Sequence, residues 1–285
     1  MTLHELPLDT RTLHGHFSRE VEPALAIEPG DSVRFSVPNA SWQLESGEQL
    51  ASRDPDLDTG HALAGPFAVR GARAGQTLVV RVDDVQPGSW GVTATGPDHS
   101  VRWELEGGFG RGAGHTVALA PFLGVMGMPP PENGVHSTSP PRRSGGNIDC
   151  KELVAGTILF LPIPVDRALF SAGDGHAAQG DGEVAGTAIE CPAEAQLTLD
   201  VRDDLPLQWP VARMAQAWLT FGFDEHLGRA ARIAVDGMLD LMEREHDLTR
   251  DDALALASVV VDLRVTQVVN GVLGVHAVLP DDALQ

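Results

Sequence analysis

Apolar and polar residues alternate along much of the first two thirds of the chain, in short runs bounded by glycine and proline. Between residues 24 and 37 the alternation lies on both sides of Pro29-Gly30-Asp31, which predicts a strand, a turn and a second strand. In residues 77–85, Leu78, Val80 and Val82 share one face. Similar runs predict strands at 66–70, 116–120, 157–163, 184–190 and 195–201.

The period changes to that of a helix after residue 208. Between residues 224 and 245, apolar side chains recur at helical spacing and form one stripe that contains Leu227, Ala231, Ala234, Met238, Leu241 and Met242. Thr249, with Asp252 three residues later, resembles a capping box and predicts a second helix through about Leu263. Asn270-Gly271 then predicts a final β-hairpin. Residues 128–146 are rich in proline and should form a long loop.

These patterns predict a β-rich α+β fold: an antiparallel β-sandwich or barrel-like body with an added C-terminal helical (α/β) portion. The length of 285 residues is compatible with one domain over residues 1–285. Within it we expect a β-rich sub-lobe at about 1–125, a site-bearing sub-lobe at about 126–208 and an α/β sub-lobe at 209–285.

Charge and cysteine content limit the function classes. Forty acidic and twenty basic residues give a formal net charge of −20, which would repel nucleic-acid phosphates and anionic membrane surfaces. We therefore expect no nucleic-acid partner and no membrane partner. Cys150 and Cys191 have no spacing typical of a disulfide framework or a cysteine-based zinc site. Residues 1–20 contain no continuous apolar segment, so we expect a cytoplasmic protein.

Candidate chemistry is concentrated in two glycine-rich runs, residues 145–152 and 173–183. In the second run, glycines alternate with Asp174, His176, Asp181 and Glu183, so short polar side chains can converge. Carboxylate and imidazole groups are suitable ligands for zinc, manganese or iron, and such an ion can activate a water. The alternative is that these are ordinary loop turns whose carboxylates accept hydrogen bonds from backbone amides. We favour a site because so many titratable groups lie together.

Two further residues of this region have unusual settings. Lys151 is the only lysine in the chain, whereas arginine occurs nineteen times. An ammonium can act as a point charge beside an oxyanion, although a surface lysine beside Glu152 would need no such role. Glu190 ends the apolar run from Val184, and a buried carboxylate there needs a partner or a place in the site.

Other histidines and the cysteines are weaker candidates. His14 and His16 would lie on one face of a strand and could bind a metal, or could equally face solvent at a strand edge. Seven more histidines show no ligand spacing: His61, His99, His115, His136, His226, His246 and His276. Cys150 is a nucleophile by residue type, but no Cys-His arrangement is visible and a buried, inert thiol is the commoner case.

Four stretches of this sequence together resemble the acetamidase/formamidase family. They run from Pro121 to Met128, from Gly145 to Leu153, from Ala168 to Val184, and from Thr187 to Glu190. Weaker similarity covers nearly the whole chain. The chain departs from the family pattern at Asn39-Ala40, where Asp-Ala is common, and at Asp166-Arg167, where Pro-Gly is usual.

The resemblance implies a cytoplasmic amidohydrolase that releases ammonia from a small linear amide of the formamide or acetamide type. It also implies a homo-oligomer. The candidate metal ligands are Asp149, Asp174, His176 and Glu190, around a divalent ion, with zinc among the candidates, or around the attacking water. The candidate catalytic residues are Glu183 as general base, Asp149, and Lys151. Either Lys151 or the glycine-rich backbone amides would stabilise the oxyanion.

Two alternatives stay open at this stage. The same site could work without a metal, with Glu183 and Lys151 as a direct acid/base pair. The chain could also be a non-catalytic binding or scaffold protein that a metal stabilises, as the departures at Asn39 and Asp166-Arg167 would allow.

Overall fold

The computed structural model describes residues 1–284 and contains nineteen strands and two helices. The strands are β1 (Leu3–Leu6), β2 (Leu13–His14), β3 (Leu25–Ile27), β4 (Asp31–Val37), β5 (Leu63–Val69), β6 (Thr77–Pro87), β7 (Trp90–Gly96), β8 (His99–Glu106), β9 (Phe109–Gly112), β10 (His115–Ala118), β11 (Phe122–Gly127), β12 (Gly145–Asn147), β13 (Ile158–Pro162), β14 (Phe170–His176), β15 (Ala193–Arg202), β16 (Val211–Arg213), β17 (Ala217–Asp224), β18 (Asp262–Gln267) and β19 (Leu273–Pro280). The helices are α1 (Leu227–His246) and α2 (Arg250–Val260).

The largest sheet has nine strands in the order β1-β4-β15-β6-β13-β16-β17-β19-β18. All its neighbours pair antiparallel except β1 and β4, which are parallel. The predicted face of β6 is confirmed, because Leu78, Val80 and Val82 are buried while Arg81 is exposed. These side chains belong to the main hydrophobic core.

A six-stranded sheet has the path β12-β11-β14-β5-β2, with β3 paired parallel to β5. Four further strands form the path β10-β9-β8-β7. This four-stranded sheet is linked to the end of β14 through Glu190, which bridges both Val92 and His176. No sheet closes into a barrel within residues 1–284. The structure therefore confirms the β-rich body with a C-terminal helical portion, built from open sheets.

The helices pack at the C-terminal end of the nine-stranded sheet. Ala234, Met238 and Met242 of α1 form a second core with Val275 and Ala277 of β19. The predicted helix is confirmed, although its first apolar residue, Leu227, is exposed. Neither helix of the described chain combines the length and apolar composition needed to cross a membrane.

Local signals near the C-terminus are also confirmed. The Thr249 side chain accepts a hydrogen bond from the Asp252 amide and caps α2. The helix ends at Val260, three residues before the predicted end, because the chain turns extended to enter β18. Strands β18 and β19 form the predicted antiparallel hairpin on either side of Asn270-Gly271.

The strand predicted at residues 184–190 is wrong. A turn closes from the Gly186 amide to the Glu183 carbonyl, and only isolated bridges follow it. The apolar run from Val184 to Ile189 suggested a strand, but Val184 itself is highly exposed. This segment is a loop that returns Glu183 and Glu190 toward the end of β14.

Candidate metal centre

Three neighbouring strands of the six-stranded sheet, β12, β11 and β14, position the first candidate side chains. Asp174 and His176 are two residues apart on β14, so they lie on the same face, and both are buried. Asp149 lies two residues after the end of β12 and has a left-handed backbone (φ 50°). The amides of Ile148 and Asp149 both donate to the carbonyl of Gly124 on the intervening strand β11. This double contact fixes Asp149 beside β14.

The loop after β14 brings in two more carboxylates. The amide of Gly182 donates to Thr266, and the amide of Val268 donates to Gly182, so β18 holds the loop in place. Glu183 follows with a left-handed backbone (φ 44°) and a buried side chain. Non-glycine residues rarely adopt this conformation, and such residues are common at functional sites.

Five side chains therefore converge, a group that we call the acidic cluster: Asp149, Asp174, His176, Glu183 and Glu190. His176 Nε2 lies 3.2 Å from Glu190 Oε2 and 3.4 Å from Asp174 Oδ2. Ligand atoms of Asp149, His176 and Glu183 lie within 4.8 Å of one another, as do those of Asp174, His176 and Glu190. All the metal ligands predicted from the sequence thus come together, with the predicted base beside them.

Gly124 forms the floor of this cluster. A Cβ atom built at Gly124 would lie 2.5 Å from Asp174 Oδ2, 2.7 Å from Asp149 Oδ1 and 2.9 Å from His176 Cε1. Any side chain at this position would enter the space that the carboxylates face. The absence of a side chain keeps that space clear for an ion or a reacting group.

Several buried oxygen atoms of the cluster have no hydrogen-bond partner. They are Asp149 Oδ1, Asp174 Oδ1 and Glu190 Oε2. An unpaired buried polar atom is costly, and a buried carboxylate more so. Carboxylate oxygens and an imidazole are ligands that divalent cations accept, so this donor set fits a metal ion.

The raised pKa values of three carboxyl groups also favour a bound cation in the acidic cluster. Burial raises the pKa of Asp149 well above its usual value, and the neighbouring Glu183 adds to the shift. Burial together with Glu190 and Asp174 raises the pKa of Glu183 to about 7, although His176 opposes the shift. Burial likewise raises the pKa of Glu190. Four carboxylates in a buried space cannot all ionise without a cation, whether a proton or a metal.

His176 and Asp174 shift in the opposite sense to these acids. Burial disfavours the imidazolium, but Glu190 and Asp174 outweigh burial and raise the pKa of His176 well above its usual value. Burial would raise the pKa of Asp174, but His176 and His61 outweigh it and lower the pKa. The pair therefore holds opposite charges when no metal is bound.

Other predicted residues lie outside the acidic cluster. Lys151 Nζ forms an ion pair with Asp181 Oδ1 at 3.0 Å, and both side chains are about one-third exposed. His14 Nε2 is 2.9 Å from Ser171 Oγ, whereas His16 Nδ1 is 2.9 Å from Asp58 Oδ1. Both histidines are buried, so they do not face solvent at a strand edge. Their side chains bind different partners, which does not match a metal shared by the two.

Sequence reasoning missed three supporting residues of the cluster. Asn270 Nδ2 donates to Asp149 Oδ2 at 2.6 Å, although the sequence indicated only a turn there. Gln179 binds His176 Nδ1 through Oε1 (2.9 Å) and donates from Nε2 to the carbonyl of Asp149 (2.7 Å). The third residue is Gly124. Gly124 and Gln179 lie in stretches that the sequence had already indicated, Pro121 to Met128 and residues 173–183. Asn270 is 121 residues from Asp149, and no local sequence signal links the two.

The fold and this buried centre together define the class of protein. The model of the acetamidase/formamidase family matches residues 4–133 and 131–283. The chain belongs to the acetamidase/formamidase family, and the resemblance inferred from its sequence is confirmed.

Individual relatives agree with the family assignment. An acetamidase from Mycolicibacterium smegmatis is 24% identical over 251 residues, and the match covers 60% of this chain and 61% of that protein. The chain thus spans less than two thirds of that relative. The crystal structure of an acetamidase from Bacillus halodurans has a TM-score of 0.86 and 26% identity, covering 97% of each chain. A predicted acetamidase/formamidase from Thermoanaerobacter tengcongensis has a TM-score of 0.86 and 27% identity, covering 98% of this chain and 96% of that one.

Proposed function

We propose that the protein hydrolyses the C–N bond of a small linear amide, of the formamide or acetamide type, to ammonia and a carboxylic acid. The family assignment supports this reaction. The observation that carries the proposal is the acidic cluster, in which Asp149 and Asp174 face the space above Gly124 and three buried carboxylate oxygens have no hydrogen-bond partner. Thiol or serine nucleophiles are not among the groups that converge there.

Asp149, Asp174, His176 and Glu190 would hold a divalent ion, with zinc the leading candidate. When bound, such an ion polarises a carbonyl and makes a water a better nucleophile at neutral pH. Gln179 and Asn270 orient the ligands: Gln179 binds the other ring nitrogen of His176, and Asn270 fixes one oxygen of Asp149.

Glu183 would act as the general base. A carboxylate with a pKa of about 7 can accept a proton from the attacking water and then pass it to the departing nitrogen. The new bond joins the water oxygen to the carbonyl carbon, and the C–N bond breaks as ammonia leaves. Lys151 would supply positive charge near the oxyanion by exchanging its ion pair with Asp181, an exchange that its partial exposure allows.

We also propose that residues 1–285 act as one domain in a cytoplasmic homo-oligomer. All three predicted sub-lobes supply strands to the nine-stranded sheet, for example β6, β13 and β17. Breaking the chain into separate domains would divide this sheet, which supports a single domain.

The departures from the family pattern do not favour a non-catalytic protein. The Asn39 side chain caps a turn by accepting from the amides of Ser41 and Gln43. Asp166 accepts from the amide of Ala74. Asn39 thus serves a local turn and Asp166 a contact with a distant segment of the chain, and the partners of both side chains lie outside the acidic cluster.

The test is ammonia release by the purified, metal-supplemented protein from amides of increasing length, beginning with formamide and acetamide. Replacing Glu183 with Gln should lower kcat by two orders of magnitude or more. Glu194→Gln, an exposed carboxylate on β15, serves as the matched control and should be unaffected. No release from any amide by folded protein contradicts the proposed reaction, and normal turnover by Glu183→Gln removes Glu183 from the role of base.

A further inference from the structure

A second group of buried ligand-type side chains lies outside the acidic cluster. One ligand atom from each of Cys150, Glu152 and His276 lies within 4.8 Å of the other two. The three residues are 1%, 8% and 0% exposed. The sequence showed no histidine near Cys150, but β19 brings His276 to it from the end of the chain. We call this group the thiol cluster.

The two oxygens of Glu152 have different surroundings. Oε1 accepts a hydrogen bond from Arg264 Nη1 at 3.0 Å. Oε2 faces inward, 3.2 Å from Cys150 Sγ and 3.6 Å from His276 Nε2. Arg264 therefore holds the carboxylate in place through one oxygen and leaves the other directed at the thiol and the imidazole.

His276 is oriented in the same way. Its Nδ1 lies 2.8 Å from Thr266 Oγ1, whereas its buried Nε2 has no hydrogen-bond partner. If Nδ1 carries the proton and donates to Thr266, then Nε2 presents a lone pair to Cys150 and Glu152. A metal-binding histidine is commonly held through its second nitrogen in this manner. Without an ion, this buried nitrogen has no partner, whereas a bound ion would accept its lone pair.

We propose that Cys150, Glu152 and His276 bind a second divalent ion of the zinc class, separate from the ion of the acidic cluster. Tetrahedral zinc with sulfur, nitrogen and oxygen ligands places those ligand atoms roughly 3.3–3.6 Å apart. The distances of 3.2 Å and 3.6 Å in the thiol cluster are near this spacing. Binding replaces the S–H bond of Cys150 with an S–metal bond and releases the thiol proton to solvent. A thiolate ligand favours zinc over magnesium or calcium.

This ion would join two parts of the fold. Cys150 and Glu152 follow Asp149 in the segment after β12, whereas His276 lies in β19 of the nine-stranded sheet. The ion would therefore anchor the segment that carries Asp149 to the sheet on which α1 packs. Its role would be structural, since none of its three ligands belongs to the acidic cluster.

Cobalt(II) in place of zinc tests this proposal without an activity assay. A thiolate bound to cobalt gives an intense near-ultraviolet charge-transfer band that oxygen and nitrogen ligands do not give. The chain has only two cysteines, so the band can come only from Cys150 or Cys191. The protein would be produced in cobalt-supplemented medium as wild type, Cys150→Ser and Cys191→Ser, with metal content measured on each. Cys191, which is buried and donates to the carbonyl of Gly175, provides the matched control.

We expect the band in wild type and in Cys191→Ser. Cys150→Ser should lose the band and also lose about one equivalent of bound cobalt. If Cys150→Ser does not fold, a band retained by Cys191→Ser still assigns the thiolate to Cys150. A wild-type protein that binds cobalt without the band overturns the proposal, as does a band that Cys191→Ser abolishes. Neither result depends on whether the protein hydrolyses amides.

Discussion

At the scale of single residues, Gly124 determines whether the acidic cluster has room for an ion. In Gly124→Ala the new Cβ would lie within 2.9 Å of Asp174, Asp149 and His176, so the carboxylates must move apart. We expect metal content to fall and kcat/KM for the amide substrate to drop about 100-fold, since displacements near 1 Å have that effect.

Metal analysis and ammonia-release kinetics would check this prediction. Gly228→Ala is the control, because a Cβ at Gly228 meets nothing within 4 Å. Full activity and metal content in Gly124→Ala would show that the space above Gly124 is not used.

Glu183 makes the stability of the metal-free protein depend on pH. Its pKa is raised from 4.5 to about 7 in the folded state, so the folded protein holds this proton more tightly than the unfolded chain. The resulting stability is fully present below pH 4.5 and is lost as the pH rises through about 7. A glutamine cannot ionise, so Glu183→Gln does not lose stability in this way. The free energy of unfolding of the variant, relative to that of wild type, should therefore increase between pH 4.5 and 8, by up to about 3 kcal/mol.

Chemical denaturation in the presence of a chelator, repeated across this pH range, measures the difference. The exposed Glu194→Gln variant should follow wild type at every pH. A difference between Glu183→Gln and wild type that stays constant with pH would mean that Glu183 has an ordinary pKa in the fold.

At the scale of elements, α2 depends on its first residues. The Thr249 side chain caps the helix, and Arg250 joins its start to Asp236 and Glu243 of α1. Thr249→Ala should lower the free energy of unfolding by about 1 kcal/mol, because it leaves the Asp252 amide without its partner. Amide hydrolysis should not change, since α2 contributes no residue to the acidic cluster.

Urea denaturation of Thr249→Ala would be compared with that of Ser258→Ala in the same helix. Ser258 is exposed and donates only to Leu254 within the helix, so its loss should alter stability by less than about 0.5 kcal/mol. Equal effects of the two substitutions would argue against the capping role of Thr249.

The elements also show where sequence patterns succeed. Strand β6, helix α1 and the β18–β19 hairpin were predicted because each has a continuous period or a turn pair of its own. The run from Val184 to Glu190 has apolar residues without strict alternation, and it forms a loop. The end of that loop is held by hydrogen bonds that Thr187, Ala188 and Glu190 form with β7, far earlier in the chain, so nothing in its own sequence reveals it.

At the scale of the whole molecule, the net charge of −20 should oppose folding. Twice as many acidic as basic residues leave many carboxylates without an opposite partner, and their repulsion favours the expanded chain. We therefore expect the Tm to rise when NaCl is increased from a few millimolar to about 150 mM, where screening acts over about 8 Å.

Differential scanning calorimetry with a chelator present would separate this effect from metal binding. KCl should act like NaCl, because screening depends on ionic strength and not on the cation. A Tm that falls with salt would show that ion pairs such as Arg250 with Asp236 outweigh the general repulsion.

The sequence by itself determined the β-rich class, the two helices and the residue types of the site, because these depend on local period and on neighbours along the chain. The glycine-rich run that contains Asp174 and His176 marked the site, although the strand β14 on which both lie was not predicted, and the capping pair at Thr249 marked a helix start. Only the tertiary structure decided which distant residues meet. Asn270 reaches Asp149, Lys151 binds Asp181, and His276 joins Cys150, because strand order in the sheets sets these contacts and no period along the chain encodes that order.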